Sequence, residues 1–241
     1  MKYKRIGIIG GVAPAATTLY YHQIIRECKN RTGTHDAPEI LIYSLNLEEI
    51  NSFFIKKEYG PLIVKLVTII QGMAAMGCDF AALSCNTLHM VFDSVAKQVK
   101  IPIINIIEAV KQEMLIQEYS CVGLLGTTFV MQEGIYRDRI KAVDVNCIVP
   151  AMDEQEWIMT SILDDLQKPE IPIGTVNRLL DTIKSFKEQG AQAVILGCTD
   201  LAVAITRKNS PLPLLDSTEI HVQAIVKEAC NTNQEKSMSG I

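Results

Sequence analysis

Two cysteines of this chain stand in two copies of one short pattern. In segments 77–87 and 190–200, a glycine is followed by an apolar stretch and then, eight residues after the glycine, by a cysteine with a threonine close behind. Two such thiols facing each other can remove a proton from one side of a carbon and return one to the other side. That is the chemistry of a racemisation that needs no cofactor.

The position of each cysteine favours this chemistry. Cys85 and Cys198 each end an apolar strand and precede a predicted helix, and open parallel sheets bind ligands beyond the carboxyl ends of their strands. Unsatisfied N–H groups at a helix start lower the pKa of a thiol and favour its thiolate. Asn86, Thr87 and Thr199 follow the cysteines and can cap the helix or hold a carboxylate there. The alternative interpretation is two ordinary buried cysteines, since free cysteine is among the most buried residue types.

The remaining cysteines and the histidines lack such a setting. Seven cysteines without a CxxC pair indicate a reduced, cytoplasmic chain rather than a disulfide framework. The four histidines lie far apart, and of these only His89, four residues after Cys85, shows ligand spacing with a cysteine. One such pair does not make a zinc site, so no metal is predicted. Five cysteines are interpreted as packing residues: Cys28, Cys78, Cys121, Cys147 and Cys230.

The elements that must position the two motifs alternate between apolar runs and amphipathic stretches, which is typical of parallel sheets covered by helices. Strands are predicted at 4–9, 39–44, 79–84, 102–105, 120–125, 145–149, 192–197 and 212–215. Helices are predicted near 14–30, 61–76, 87–98, 108–117, 128–142, 153–167, 175–189, 199–206 and 216–231.

The repeat extends beyond the cysteines. Segment 5–11 matches 121–127 ahead of them, and 101–108 matches 212–219 behind them, in the same order and at similar spacing. Three matched landmarks indicate two halves of one topology. The expected fold is therefore α/β, with two pseudo-symmetric domains, each a mostly parallel sheet flanked by helices, and the active site in the cleft between them.

The domain boundaries follow from these elements. We expect a first domain of 1–110 plus 216–231, because the last helix can pack back on it, and a second domain of 111–215. Residues 232–241 are polar and are expected to be a frayed tail.

Composition excludes several classes of function. The net charge of −4 gives no electrostatic reason to expect nucleic acid or an anionic membrane as partner. The N-terminal residues run straight into a strand, so neither a signal peptide nor a spanning helix is expected.

Three segments together resemble a known family. They are Gly10-Gly11-Val12-Ala13-Pro14 with Thr17 and Tyr20-Tyr21, then 84–89, and then 196–200. With these motifs the chain resembles the aspartate/glutamate racemases, the amino-acid racemases that work without pyridoxal phosphate, and aspartate racemases more than glutamate racemases. The likeness runs from Lys4 to about Cys230.

The resemblance implies two α/β domains with a substrate cleft, catalysis by Cys85 and Cys198 without any cofactor, an acidic amino acid as substrate, and a homodimer. It also implies that Asn86 and Thr87, with Thr199 opposite, contact the substrate's α-carboxylate and amino group. Two further candidates are implied for substrate binding. Thr127 ends the strand that mirrors the glycine-rich opening, and Lys168 would hold the side-chain carboxylate unless it is a solvated surface lysine.

The chain departs from the family pattern at three places. Val12 and Ala13 stand where the family has Met-Gly, and Asp200 stands where it has Glu or, in glutamate racemases, His. Alternative functions are therefore kept open: a maleate isomerase or hydantoin racemase with the same paired cysteines, an amino-acid-binding protein without turnover, or a thiol–disulfide switch.

Overall fold

The computed structural model describes residues 3–34 and 36–231. The expected frayed tail at 232–241 lies outside the described residues. The described chain divides into two compact units. One comprises residues up to Asn105 together with those from His221 onward, and the other comprises Ile106–Ile220.

The first unit holds a four-stranded sheet whose order is β2-β1-β3-β4, with every pair parallel. The central strand is buried on both faces because helices cover them. The strands are β1 (Ile6–Gly10), β2 (Ile40–Ser44), β3 (Phe80–Leu83) and β4 (Ile103–Ile104).

The second unit repeats this arrangement with the order β6-β5-β7-β8, again parallel throughout. Its strands are β5 (Cys121–Leu125), β6 (Asn146–Ile148), β7 (Ala193–Leu196) and β8 (Leu214–Asp216). The predicted α/β architecture of two parallel sheets flanked by helices, built on one repeated topology, is confirmed.

The described α-helices are α1 (Pro14–Thr32), α2 (Leu47–Lys56), α3 (Tyr59–Ala75), α4 (Phe92–Ala96), α5 (Ile106–Ile116), α6 (Thr128–Gln132), α7 (Arg137–Lys141), α8 (Met152–Leu163), α9 (Ile173–Glu188), α10 (Leu201–Ala204) and α11 (Ser217–Cys230). Two 3₁₀-helices, Thr87–Val91 and Asp165–Gln167, complete the set. Among the described residues, no helix combines the length and apolar character needed to cross a bilayer.

Outside the two cysteine motifs, the helices depart from the prediction at two places. Helix α2 was missed, although the Asn46 side chain accepts the N–H of Glu49 as an N-cap. The single helix expected at 128–142 is two short helices, α6 and α7. Gly134 lies between them with φ +72°, and a left-handed residue of this kind ends a helix.

Each sheet is covered closely where its central strand carries a glycine. A Cβ atom on Gly123 of β5 would lie 2.2 Å from the ring of Phe186 on α9, and one on Gly7 of β1 would lie 2.7 Å from the sulfur of Met73 on α3. Helices α3 and α9 therefore pack in equivalent places, and only glycine permits the approach.

The helix that follows the fourth strand of each sheet packs in the other unit. Helix α5 follows β4, yet its Ile106, Val110 and Met114 belong to the core of the second unit. Helix α11 follows β8, yet its Val222 and Val226 belong to the core of the first unit with β1 and α1. The two repeats therefore exchange their last helices.

Candidate functional site

The two cysteines are the first residues beyond equivalent strand ends. Ser84, before Cys85, donates its N–H to the carbonyl of Ile9 at 2.9 Å. Gly197, before Cys198, donates its N–H to the carbonyl of Leu125 at 2.7 Å. These bonds extend β3 and β7 by one residue along β1 and β5, so both thiols start from the same backbone position. Both cysteines are half-buried.

The glycine-rich turn after β1 has little freedom to move. Gly11 has φ +89°, and a Cβ atom there would lie 2.3 Å from the carbonyl oxygen of Leu45. Its N–H donates to the Thr17 hydroxyl at 2.9 Å. This turn requires glycine and lies at the strand end that neighbours Cys85.

The residues on both sides of Cys85 are polar and buried. Ser84, Asn86 and Thr87 are 3%, 6% and 8% exposed. The helix expected at 87–98 begins instead as the 3₁₀-helix Thr87–Val91 and continues as the short α4. Asn86 occupies the N-cap position but makes no side-chain capping bond.

His89 holds the backbone of Cys85. Its Nδ1 lies 2.9 Å from the Cys85 carbonyl oxygen and donates to it, since a carbonyl only accepts. The imidazole is 4% exposed, stacks on Phe92 at 5.4 Å between centroids, and meets the His221 ring edge-on at 6.1 Å.

His221 is fully buried behind His89 and joins α11 to the rest of its unit. Its Nε2 donates to the Ile104 carbonyl at 3.0 Å, so its Nδ1 accepts from the Tyr20 hydroxyl at 2.9 Å. Burial lowers the pKa of His221 to about 4, although the bond to Ile104 acts in the opposite direction. The imidazole is therefore neutral at physiological pH.

Cys198 has different neighbours. The helix expected at 199–206 is only α10, which is four residues long. One turn aligns few peptide dipoles, so it supplies less positive potential than the predicted helix. The Cys198 thiol instead donates to the Asp200 carboxylate, with Sγ 3.8 Å from Oδ2. Burial raises the pKa of Asp200, against hydrogen bonds from Gln167 and Cys198 that lower it.

The remaining candidate residues are placed as follows. Thr199 is half-buried between Cys198 and Asp200. Thr127 caps α6, its hydroxyl oxygen accepting the N–H of Val130 at 3.3 Å. Lys168 follows the 3₁₀-helix Asp165–Gln167 with its side chain 52% exposed, and it forms an ion pair of 2.5 Å with Asp165.

Three residues near the motifs were not among the predicted site residues. Asp200 was noted only as a departure from a family pattern, and His89 was not predicted to act at the site. Its position four residues after Cys85, one helical turn away, was the available signal. The role of His221 could not be found locally, because its partners Tyr20 and Ile104 lie more than a hundred residues away in sequence.

Two of the other thiols are distinguished by strongly raised pKa values. Burial raises the pKa of Cys28 to about 12 and that of Cys147 to about 12. Such thiols are inert near neutral pH. Within residues 3–34 and 36–231, no group of three or more His, Cys, Asp and Glu side chains is arranged to hold a metal ion.

Comparison with known proteins gives consistent matches over most of the chain. The model of the family described as Asp/Glu/Hydantoin racemase matches residues 9–225. The broad specificity amino-acid racemase RacX of Bacillus subtilis (strain 168) is 26% identical over 219 residues, which cover 88% of this chain and 92% of RacX.

Solved structures agree with the fold. An aspartate racemase homologue from Pyrococcus horikoshii OT3 superposes with a TM-score of 0.80 at 30% identity, covering 95% of this chain and 99% of the other. The Picrophilus torridus aspartate racemase gives a TM-score of 0.74 at 22% identity and covers 98% of each chain.

Proposed function

The chain belongs to the Asp/Glu/Hydantoin racemase family, and from this premise we propose that it interconverts the enantiomers of an acidic amino acid, aspartate or glutamate, with Cys85 and Cys198 as the two acid–base groups. The family resemblance stated from the motifs is confirmed. The expectation of an enzyme of the isomerase class is confirmed as well.

The observation that carries the proposal is the repeated backbone position of the two thiols. Each cysteine follows a residue whose N–H is bonded to the carbonyl of the residue before a glycine. This glycine is Gly10, at the end of β1, in one unit and Gly126, directly after β5, in the other. A two-base racemisation needs chemically equivalent groups that exchange acid and base roles with the direction of reaction. A duplicated strand end supplies such a pair, whereas a single-base enzyme has no use for the second copy.

In the proposed reaction one cysteine is a thiolate and the other a thiol. The thiolate removes the α-proton, the electron pair of the broken C–H bond remains on the α-carbon, and the thiol delivers its proton to the opposite face. The two sulfurs end with their protonation states reversed. Neither a metal nor pyridoxal phosphate takes part in these steps.

Substrate contacts complete the proposal. Asn86 and Thr87 lie in the buried polar run after Cys85, and with Thr199 they are proposed to bind the α-carboxylate and amino group. Thr127 and Lys168 are proposed as further contacts. A substrate carboxylate would have to compete with Asp165 for the Lys168 ammonium, since the two are already paired.

Substrate choice and setting are also part of the proposal. None of the seven cysteines, all of which lie among the described residues, forms a disulfide, which suits the proposed cytoplasmic setting. A homodimer is proposed from the family likeness. The family description includes hydantoin racemases, so a hydantoin is the second candidate substrate. It lacks the carboxylate that Asn86, Thr87 and Thr199 are proposed to bind.

The test is α-proton exchange in deuterated buffer, followed by NMR with L-aspartate, L-glutamate or a 5-substituted hydantoin and no added pyridoxal phosphate. We expect deuterium at Cα together with the D-enantiomer for one of the two amino acids. Exchange with the hydantoin alone would move the assignment to that candidate, and no exchange with any of the three would refute racemisation.

Cysteine variants test the mechanism in the same assay. Cys85→Ser and Cys198→Ser should each lower racemisation by roughly a hundredfold or more, the range that one acid–base group contributes. Each should still exchange the α-proton of one enantiomer only, because one base remains. Cys147→Ser, on β6, is the matched control and should keep full activity. Full racemisation by either of the first two variants would refute the two-base mechanism.

A further inference from the structure

Two cysteines that lie near opposite ends of the sequence meet between the first helix and the last. Cys28 lies on α1, and Cys230 is the last residue of α11. A hydrogen bond joins their side chains, and both pack in the same core cluster of the first unit. Neither cysteine forms a disulfide in the structure. The fold therefore brings two reduced thiols into direct contact.

The contact belongs to a helix pair that is fixed along its length. The Tyr20 hydroxyl of α1 bonds to Nδ1 of His221 on α11 at 2.9 Å. From this bond to the two cysteines the chain advances by eight residues on α1 and by nine on α11, so the helices run side by side in the same direction. Next to Cys230, the Ala229 carbonyl accepts the N–H of Lys4 at 2.9 Å. Backbone and side-chain bonds thus hold the two thiols in register.

The two thiols differ in what can reach them. Cys28 is 0% exposed, and burial, followed by the effect of Cys230, raises its pKa to about 12. A reagent from solution therefore meets no accessible thiolate at Cys28. Cys230, at the end of its helix, is only partly buried. An outside reagent has access to Cys230 first, and Cys28 can react only with a group that Cys230 already carries.

We propose that Cys28 and Cys230 form a redox-active dithiol, which a small disulfide such as oxidised glutathione converts into a disulfide bond between α1 and α11. The thiolate of Cys230 attacks one sulfur of the reagent, forms a mixed disulfide and releases the first glutathione as a thiolate. The sulfur of Cys28 then attacks the sulfur of Cys230 and displaces the second glutathione. Two protein thiols are oxidised, one glutathione disulfide is reduced, and the two cysteine protons end on the two glutathione thiols.

The contact between the side chains offsets the low acidity of Cys28 in the second step. In the mixed disulfide, the attacking sulfur and the attacked sulfur belong to neighbouring side chains, so this step needs no encounter from solution. The departing glutathione thiolate is a base that can take up the Cys28 proton. Closure of the bond is therefore expected to follow the addition of glutathione at Cys230.

The bond would fasten the exchanged helix α11 to α1. It closes a loop of residues 28–230, which contains the whole of the second unit, Ile106–Ile220. A cross-link of this kind restricts the unfolded chain and stabilises the fold when the native geometry accepts it. Oxidation is therefore expected to raise the urea concentration at which half of the protein is unfolded.

Thiol mapping after oxidation tests the proposal. The reduced protein is incubated at pH 8 with oxidised glutathione, unfolded in urea with N-ethylmaleimide to block the remaining thiols, and digested without reductant for peptide mass spectrometry. The variants are Cys28→Ser, Cys230→Ser and, as the matched control, Cys78→Ser, which changes another buried cysteine of the first unit. Urea unfolding is followed by circular dichroism before oxidation, after it, and after treatment with dithiothreitol.

We expect a peptide pair joined through Cys28 and Cys230 in the wild type and in Cys78→Ser, with maleimide missing from both positions. Cys28→Ser should stop at the mixed disulfide and carry glutathione on Cys230. Cys230→Ser should leave Cys28 without glutathione and open to maleimide once the protein is unfolded. The urea midpoint should rise when the wild type is oxidised and return with dithiothreitol, and it should not rise in Cys28→Ser or Cys230→Ser.

Three results would overturn the proposal. The first is a wild-type protein in which Cys230 keeps its glutathione without closing onto Cys28, and the second is one in which neither cysteine changes. The third is a urea midpoint that stays constant or falls on oxidation, since the bond would then require the native helices to move. If Cys28→Ser does not fold, Cys28→Ala, which keeps the site apolar, must stop at the same mixed disulfide.

Discussion

Protonation of His221 should destabilise the first unit as the pH falls. The imidazole is fully buried between Tyr20 and Ile104. Both ring nitrogens are already used, because Nε2 donates to a carbonyl and Nδ1 accepts from a hydroxyl. A second ring proton would remove the acceptor that Tyr20 needs, and it would place a charge where water cannot reach.

The magnitude follows from the pKa difference. The folded protein has a His221 pKa of about 4, against an ordinary value of 6.5. The unfolded chain therefore takes up a proton as the pH falls below about 6.5, whereas the folded protein does so only near pH 4. The contribution of His221 to the free energy of unfolding is fully present above that window and is lost as the pH falls through it. The loss is about 2 kcal/mol at pH 5 and about 3.4 kcal/mol in full.

The assay is urea unfolding followed by circular dichroism at pH 7.5 and pH 5.0, for the wild type and His221→Gln. The glutamine amide can still donate to the Ile104 carbonyl but cannot gain a proton. Burial raises the pKa values of Asp200 and Asp216, so their protonation in acid favours the folded protein, whereas protonation of His221 disfavours it. They are present in both proteins, so they cancel in the comparison.

We expect the wild type to lose about 2 kcal/mol more than His221→Gln between pH 7.5 and pH 5.0. Parallel loss in the two proteins would refute the reasoning, since it would mean that His221 is protonated in the fold at ordinary pH. An NMR titration of the His221 ring provides an independent check, with its midpoint expected near pH 4.

Three shorter predictions follow from other contacts. His89→Leu should lower the racemase kcat at least about tenfold with little change in KM, because the bond to the Cys85 carbonyl is lost. His89→Asn should keep most of the wild-type kcat, because its amide can donate in place of Nδ1. Equal kcat values for the two variants in a steady-state assay would contradict this. Gly11→Ala should lower the free energy of unfolding by about 1–3 kcal/mol because of the clash with Leu45 and the positive φ. Gly33→Ala, with a positive φ but open space, should cost only about 1 kcal/mol in the same melts. Cys147, with a pKa of about 12, should stay unmodified by iodoacetamide at pH 8 until urea unfolds the protein, and modification of the folded protein would show that its burial is transient.

The buried strands and the two thiols were predictable because their signals are local. An apolar run that ends at a cysteine, found twice at the same spacing, indicates both a strand and its carboxyl end. The start of α2 was equally visible, since Asn46 with Glu49 three residues later is a capping pattern. Apolar Ile50 and Phe54 follow at helical spacing, so this miss was an error of interpretation.

Other features depend on packing that the sequence does not display. Leu88, Val91 and Val95 are buried at spacings compatible with a continuous helix, yet the backbone changes from 3₁₀ to α between them. The contact of Gln167 with Asp200 joins segments more than thirty residues apart. The link from His221 to Tyr20 spans 201 residues. Local periodicity carries no information about such partners.

The exchange of α5 and α11 limits how far this chain can be truncated. A fragment of residues 3–116 would carry the apolar face of α5 with no core to receive it, and it would leave the side of β1 that α11 covers open to water. Two copies of such a fragment could bury both surfaces only by trading helices, in the manner of a domain-swapped dimer. The present chain makes that trade within one molecule. In the intact chain the two halves are covalently joined, so their helices are exchanged by closing a loop rather than by association of two molecules. A separated half loses this link, and neither half is therefore expected to be a stable truncation product.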